Sequence, residues 1–141
     1  MERLFTVRED GQVDAQLPSA GPLFNEALDD SISSLPPRGA RGSGPSTYWV
    51  DVALKGLRQA ELNNDERPFT YGNITLLRLV GDKVEARYDF ADDDEEGDFV
   101  DVGDFVALLE EWGARIREQA AEALQPLPET YRRNPAMSFP V

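Results

Sequence analysis

The chain contains no cysteine and no histidine among its 141 residues. The first absence excludes a disulfide framework, a thiolate metal site and a cysteine nucleophile. The second removes Ser-His-Asp and Cys-His catalysis together with histidine-ligated zinc or iron. Lysine is nearly absent too, two residues against twelve arginines, a bias that fits a GC-rich bacterial source. No apolar run approaches the roughly 18 residues a membrane span requires. The opening MERLFTVRED carries charge where a signal peptide would be apolar. These absences point to a soluble, cytoplasmic protein and favour binding over catalysis; no cofactor is expected, while metal chemistry on oxygen ligands survives the exclusion.

The residues that are present suit a single folded unit. An apolar fraction of 40% exceeds what a disordered chain carries. A chain of this length can bury about 70% of the surface its unfolded form exposes. The expected organisation is one α+β domain over 1–125, interrupted by a flexible loop at 36–47. A proline-rich extended tail follows at 126–141. The fold class is α+β: an antiparallel sheet built from two hairpins, packed on a long C-terminal helix and one or two shorter helices.

Two hairpins carry the β prediction. In RLFTVREDGQVDAQL, a three-residue loop Glu9-Asp10-Gly11 places glycine where a left-handed conformation is needed. That register pairs Val7 with Val13 and Phe5 with Ala15 on one face. In NITLLRLVGDKVEARYDF, a Gly81-Asp82 turn sets Leu79 opposite Val84, Leu77 opposite Ala86 and Thr75 opposite Tyr88. The reverse face then pairs Arg78 with Glu85, and Arg78, Glu85 and Arg87 read as solvated strand positions.

Helical spacing marks three segments. PLFNEALDDSISSL starts with Pro22 and gathers Leu23, Ala27 and Leu28 on one face. TYWVDVALKGLRQAEL repeats at Val50, Ala53, Leu54, Leu57 and Ala60, with Ser46 or Thr47 as cap and Trp49 expected in the core. A long helix is predicted from near Asp104, capped by Asp101. Its stripe is Phe105, Leu108, Leu109, Trp112, Ile116, Ala120 and Ala123. Between the first two helices, Gly39-x-x-x-x-Gly44-Pro45-Ser46 approaches a phosphate-binding loop. It lacks the lysine, and Pro45 lacks the N–H such a loop uses.

The net charge of −13 is concentrated. From Asp89 to Glu111 there are eleven acidic residues and no base, while the other 118 residues carry only −2, sixteen acids against fourteen bases. Such a segment repels nucleic acid and complements a basic protein. Read as a calcium loop from Asp92, it supplies Asp94, Glu96, Gly97 and Phe99 in suitable positions. Gly103 stands where the closing glutamate belongs, and a strand rather than a helix leads in. A floppy solvated loop is the plain alternative. Concentration beyond the needs of solubility favours a docking surface made of Asp92, Asp93, Asp94, Glu95, Glu96, Asp98, Asp101 and Asp104. Phe99 is its candidate apolar anchor.

With Trp49 in TYWVDVALKGL, Gly72-Asn73 leading the second hairpin, the acidic segment and the DFVALLEEW helix, residues 46–118 resemble the layout of small acidic immunity proteins. These belong to bacterial polymorphic toxin systems. The resemblance implies a cognate toxin domain, often a basic nuclease, bound by acidic surface residues. The competing expectations are a secretion or assembly chaperone with an apolar groove, a divalent-metal protein using the 92–104 carboxylates, and a nucleic-acid mimic.

Overall fold

The computed structural model describes residues 1–40, 42 and 44–123. The 126–141 tail and the expected boundary at 125 lie outside the described residues. In chain order the elements are β1 (Leu4–Val7), β2 (Val13–Gln16), a 3-10 turn (Pro18–Ala20), α1 (Pro22–Ser31), α2 (Tyr48–Asn63), β3 (Thr70–Tyr71), β4 (Thr75–Val80), β5 (Lys83–Tyr88), β6 (Asp98–Asp101) and α3 (Val102–Ala123). The α+β class is as expected. The strands form two sheets, a β1–β2 hairpin and a four-stranded antiparallel sheet in the order β3-β4-β5-β6.

Both hairpins adopt the register that side-chain alternation dictates. Phe5 faces Ala15 and Val7 faces Val13. Beyond them, Arg8 N–H donates to Gln12 O at 2.8 Å, which closes a three-residue loop with Gly11 at φ 86°. In the second hairpin Thr75, Leu77 and Leu79 face Tyr88, Ala86 and Val84, and Arg78 faces Glu85.

Leu77, Leu79, Val84, Ala86 and Val100 turn the inner face of the larger sheet toward the helices. There α1 lies across β4 and β5, α2 packs on α3, and α3 reaches back to β2. Phe105 is the aromatic hub, edge-to-face with Phe24 and with Phe69, each at 6.0 Å between ring centroids. Trp112 is buried, and its indole Nε1–H donates to Val13 O at 2.8 Å, so α3 is tied to the first hairpin. Satisfying that donor lets the largest core side chain sit without an unpaired polar group.

Some local expectations shift. The first helix stops at Ser31 rather than running to Leu35; Ile32 is extended and its N–H closes on Leu28 O. The long helix starts at Val102, two residues before Asp104. Thr47 occupies the N-cap of α2, but its hydroxyl donates to Asp51 rather than accepting from the helix N–H groups. Trp49 is not in the core and is 38% exposed. The buried stripe of α2 is Val50, Ala53, Leu57 and Ala60, and Trp49 points about 100° away from Val50 on the helical wheel. No helix among the described residues is long and apolar enough to cross a membrane.

Candidate functional site, an acidic segment clamped to the sheet

The acidic segment leaves β5 after Tyr88 and returns as β6, which pairs with β5 through Ala86–Asp98, Glu85–Phe99, Val84–Val100 and Lys83–Asp101. Its backbone folds against the outer face of the sheet, where Arg78, Glu85 and Arg87 stand. Strand alternation suggested three solvated positions, but Glu85 and Arg87 are largely covered and only Arg78 stays partly solvated. Glu85 is only 2% exposed. Arg78 Nε donates to Glu85 Oε1 at 2.6 Å, and Arg87 Nη1 lies 3.8 Å from the same oxygen. The other oxygen, Oε2, accepts the Gly97 N–H at 3.2 Å. Arg87 Nη2 donates to the Asp92 carbonyl at 2.7 Å. The sheet therefore grips the segment at both ends, Asp92 and Gly97. The physical cause is coverage: once the returning chain excludes water from Glu85, a buried carboxylate demands the two guanidiniums and an N–H donor.

Gly97 makes this closure possible. A methyl group on its Cα would collide with the carbonyl oxygen of Ala86. Only a residue without Cβ lets the chain approach β5 closely enough to begin β6.

Between the grips, Asp92, Asp93, Asp94, Glu95 and Glu96 are all exposed. None of the five makes an ion pair among the described residues. The internal bond of this stretch is a turn, Glu95 N–H to Asp92 O at 3.0 Å. No group of three acids among the described residues converges on a position that could hold a metal ion. The calcium-loop pattern of Asp92, Asp94 and Glu96 does not fold into a coordination cage.

The remaining predicted carboxylates have intramolecular work. Asp98 points inward, and its Oδ2 accepts the Phe24 N–H at 3.1 Å, supplying the N-terminus of α1 with the anionic acceptor its own Gly21 cap lacks. Asp101 pairs with Lys83 across the strands and raises the pKa of that lysine by direct hydrogen bonding. Asp104, in the first turn of α3, sits 3.6 Å from the amino group of Met1. Farther along α3, Glu111 accepts from Arg3, then Arg115, and its carboxyl is held below the usual range. Phe99 lies on the outer face opposite Glu85, outside the core and 39% exposed.

An aromatic residue that strand periodicity did not single out stands at the mouth of the segment. Phe90 is 73% exposed and stacked on Tyr88, with centroids 5.1 Å apart and planes 16° from parallel. Tyr88 is itself fixed by donating its hydroxyl to Glu26 at 2.6 Å, which raises its pKa. Continuing the alternation Val84, Ala86, Tyr88 would put Phe90 on the core side, but β5 ends at Tyr88. An aromatic side chain isolated inside a run of acids was the signal that could have marked it.

No protein-family model, curated protein or solved structure matches this chain.

Proposed function

We propose that the protein is a non-enzymatic binding protein that docks a basic protein partner on the segment Asp92–Glu96 and neutralises that partner's activity. In this reading it is an immunity protein and the partner a cognate toxin domain. One observation carries the proposal: five contiguous exposed carboxylates, unpaired among the described residues, are held on a backbone gripped at its two ends by Arg87 and by Glu85, which Arg78 steadies. Holding like charges together is unfavourable in the free protein and becomes favourable when a cationic surface meets them. Gripping the backbone beforehand lowers the ordering entropy lost on binding. Asp98, Asp101 and Asp104, which serve the fold, contribute to the field more than to direct contact. Phe90 joins Phe99 as an anchor, since charge steers encounter while buried aromatics supply affinity.

The test begins by co-purifying the partner from the native cell and identifying it by mass spectrometry. Reversing Asp93, Asp94 and Glu95 to lysine should then slow association by about tenfold or more at low salt, with dissociation changed much less. Co-expression should protect cells from the partner, and the reversed variant should protect them poorly. Association that is indifferent to the reversal removes the acidic segment from the binding surface.

A further inference from the structure

The end of α1 away from Glu95–Gly97, which lie beside Leu23, borders a second surface of different character. An open groove of about 430 Å³ runs between the α1 C-terminus, the start of α2 and β3. This is within the size range of about 300–1,000 Å³ typical of ligand clefts. Its apolar wall is Leu35, Trp49 and Tyr71, respectively 54%, 38% and 62% exposed. Tyr48 stands beside Trp49, edge-to-face at 4.9 Å between ring centroids. Its polar rim is Asp29 and Asp30.

The rim accepts hydrogen bonds and carries negative charge. Asp30 is anchored through Oδ2, which accepts from Ile74 N–H, Thr75 N–H and the Thr75 hydroxyl at 2.7–3.0 Å. Burial pushes the Asp30 carboxyl up, but those donors and the Asn73 N–H outweigh it and hold it below the usual range. Asp29 makes no ion pair or side-chain hydrogen bond among the described residues, and burial followed by the proximity of Asp14 raises its pKa. The cation in the adjoining cleft is Arg8, which is engaged by Asp14 at 2.6 Å. The Ser31 hydroxyl is spent on Ala27 O. An anionic ligand would be repelled here, and an uncharged apolar segment would cover Asp29 without pairing it. A cation with a flat face satisfies both walls, because it stacks on indole and phenol while donating to carboxylate.

We propose that this groove receives a single arginine side chain, presented by an extended segment of a protein partner, with its guanidinium over Trp49 and Tyr71 and hydrogen-bonded to Asp29. Guanidinium suits the site better than ammonium because its planar fork stacks and pairs at once. The groove is a site separate from the acidic segment and does not depend on what binds there.

The probe is the peptide acetyl-Gly-Arg-Gly-amide, titrated into the full chain and followed by the indole N–H resonances of the two tryptophans. The expected result is a saturable shift of Trp49 in the millimolar range while Trp112, locked to Val13 O, stays in place. The citrulline peptide, isosteric but neutral, should give no saturable shift, and the lysine peptide should bind about threefold or more weakly. D29N should weaken arginine binding by about three- to tenfold and Y71S by a similar factor. W49A, read at the Asn73 amide, should do the same. D93N/D94N/E95Q should change binding by less than about twofold, since screening falls off over roughly 10 Å at 0.1 M salt. Equal binding of the citrulline or lysine peptide overturns the proposal. So does a loss in the 93–95 variant as large as in D29N, or the absence of any saturable Trp49 shift. An arginine peptide that fails while the partner still docks on Asp92–Glu96 removes the groove alone, and the reverse removes the acidic segment alone.

Discussion

The Gly97 N–H donates to Glu85 Oε2 at 3.2 Å, so a buried carboxylate on β5 holds the end of the chain's most charged segment. A strand that covers its neighbour's acid must also satisfy it, and the two arginines beside Glu85 complete that set. The acidic segment is thereby tied to β5 at Asp92 and at Gly97.

Glu85→Gln keeps the shape and removes the charge, leaving Arg78 and Arg87 facing each other without an anion. A loss of about 2 kcal/mol in urea unfolding is expected, below the full penalty for breaking a buried pair because Arg78 is partly solvated. Native-state hydrogen exchange at Gly97 should accelerate by more than the global change explains. A stability loss under about 0.5 kcal/mol would mean that the network does not hold the segment.

Gly97→Ala should cost about 1–3 kcal/mol, because the added methyl meets the Ala86 carbonyl and β6 must move off β5. Circular dichroism should retain the helices. The β5–β6 amides should lose protection first.

Neutralising Asp93, Asp94 and Glu95 together should stabilise the free protein, by up to about 1 kcal/mol, since none of the three forms an ion pair among the described residues. Added salt should stabilise the parent chain and have a smaller effect on this variant. Equal salt responses would show that the five charges do not feel one another.

Two aspartates at the end of α1 should give pH effects of opposite sign. The Asp30 carboxyl is lowered in the folded state, so its contribution is present above the unfolded pKa of about 3.9 and is lost as pH falls through the folded value. Asp30→Ala should cost about 2 kcal/mol at neutral pH, from three hydrogen bonds to one charged acceptor, and less in acid. The Asp29 carboxyl is raised, by burial first and then by Asp14, with Arg8 opposing. Its ionisation therefore opposes folding, increasingly as pH rises from the unfolded pKa and fully above the folded one. Asp29→Asn should stabilise the protein slightly at pH 7, by less than about 1 kcal/mol given its exposure to solvent. Urea midpoints measured from pH 2.5 to 7.5 separate the two.

Local physics was enough for the hairpins. Alternation with period two, together with Gly11 and the Gly81-Asp82 turn, admits one register for each, and both occur. The 3.6-residue stripe likewise marks Phe105, Leu108, Leu109, Trp112 and Ile116 as the buried face of α3. Hydrophobic burial acts on every such residue wherever the partner surface comes from, so pattern alone suffices. The concentration of acid between Asp89 and Glu111 was also plain from composition.

Covering is a long-range event, and tertiary structure decided it. Whether Arg78, Glu85 and Arg87 face water depends on where the chain goes after Tyr88, which nothing within the strand encodes. The same holds for Asp98, whose acceptor role needs the N-terminus of α1, 74 residues away in sequence. Trp49 and Tyr71 lie on separate elements, and only the fold, which brings the start of α2 and β3 to the C-terminal end of α1, makes them walls of one groove. Sequence sets what each side chain prefers; which preferences are met depends on neighbours that arrive through the fold, because desolvation and charge pairing act through space rather than along the chain.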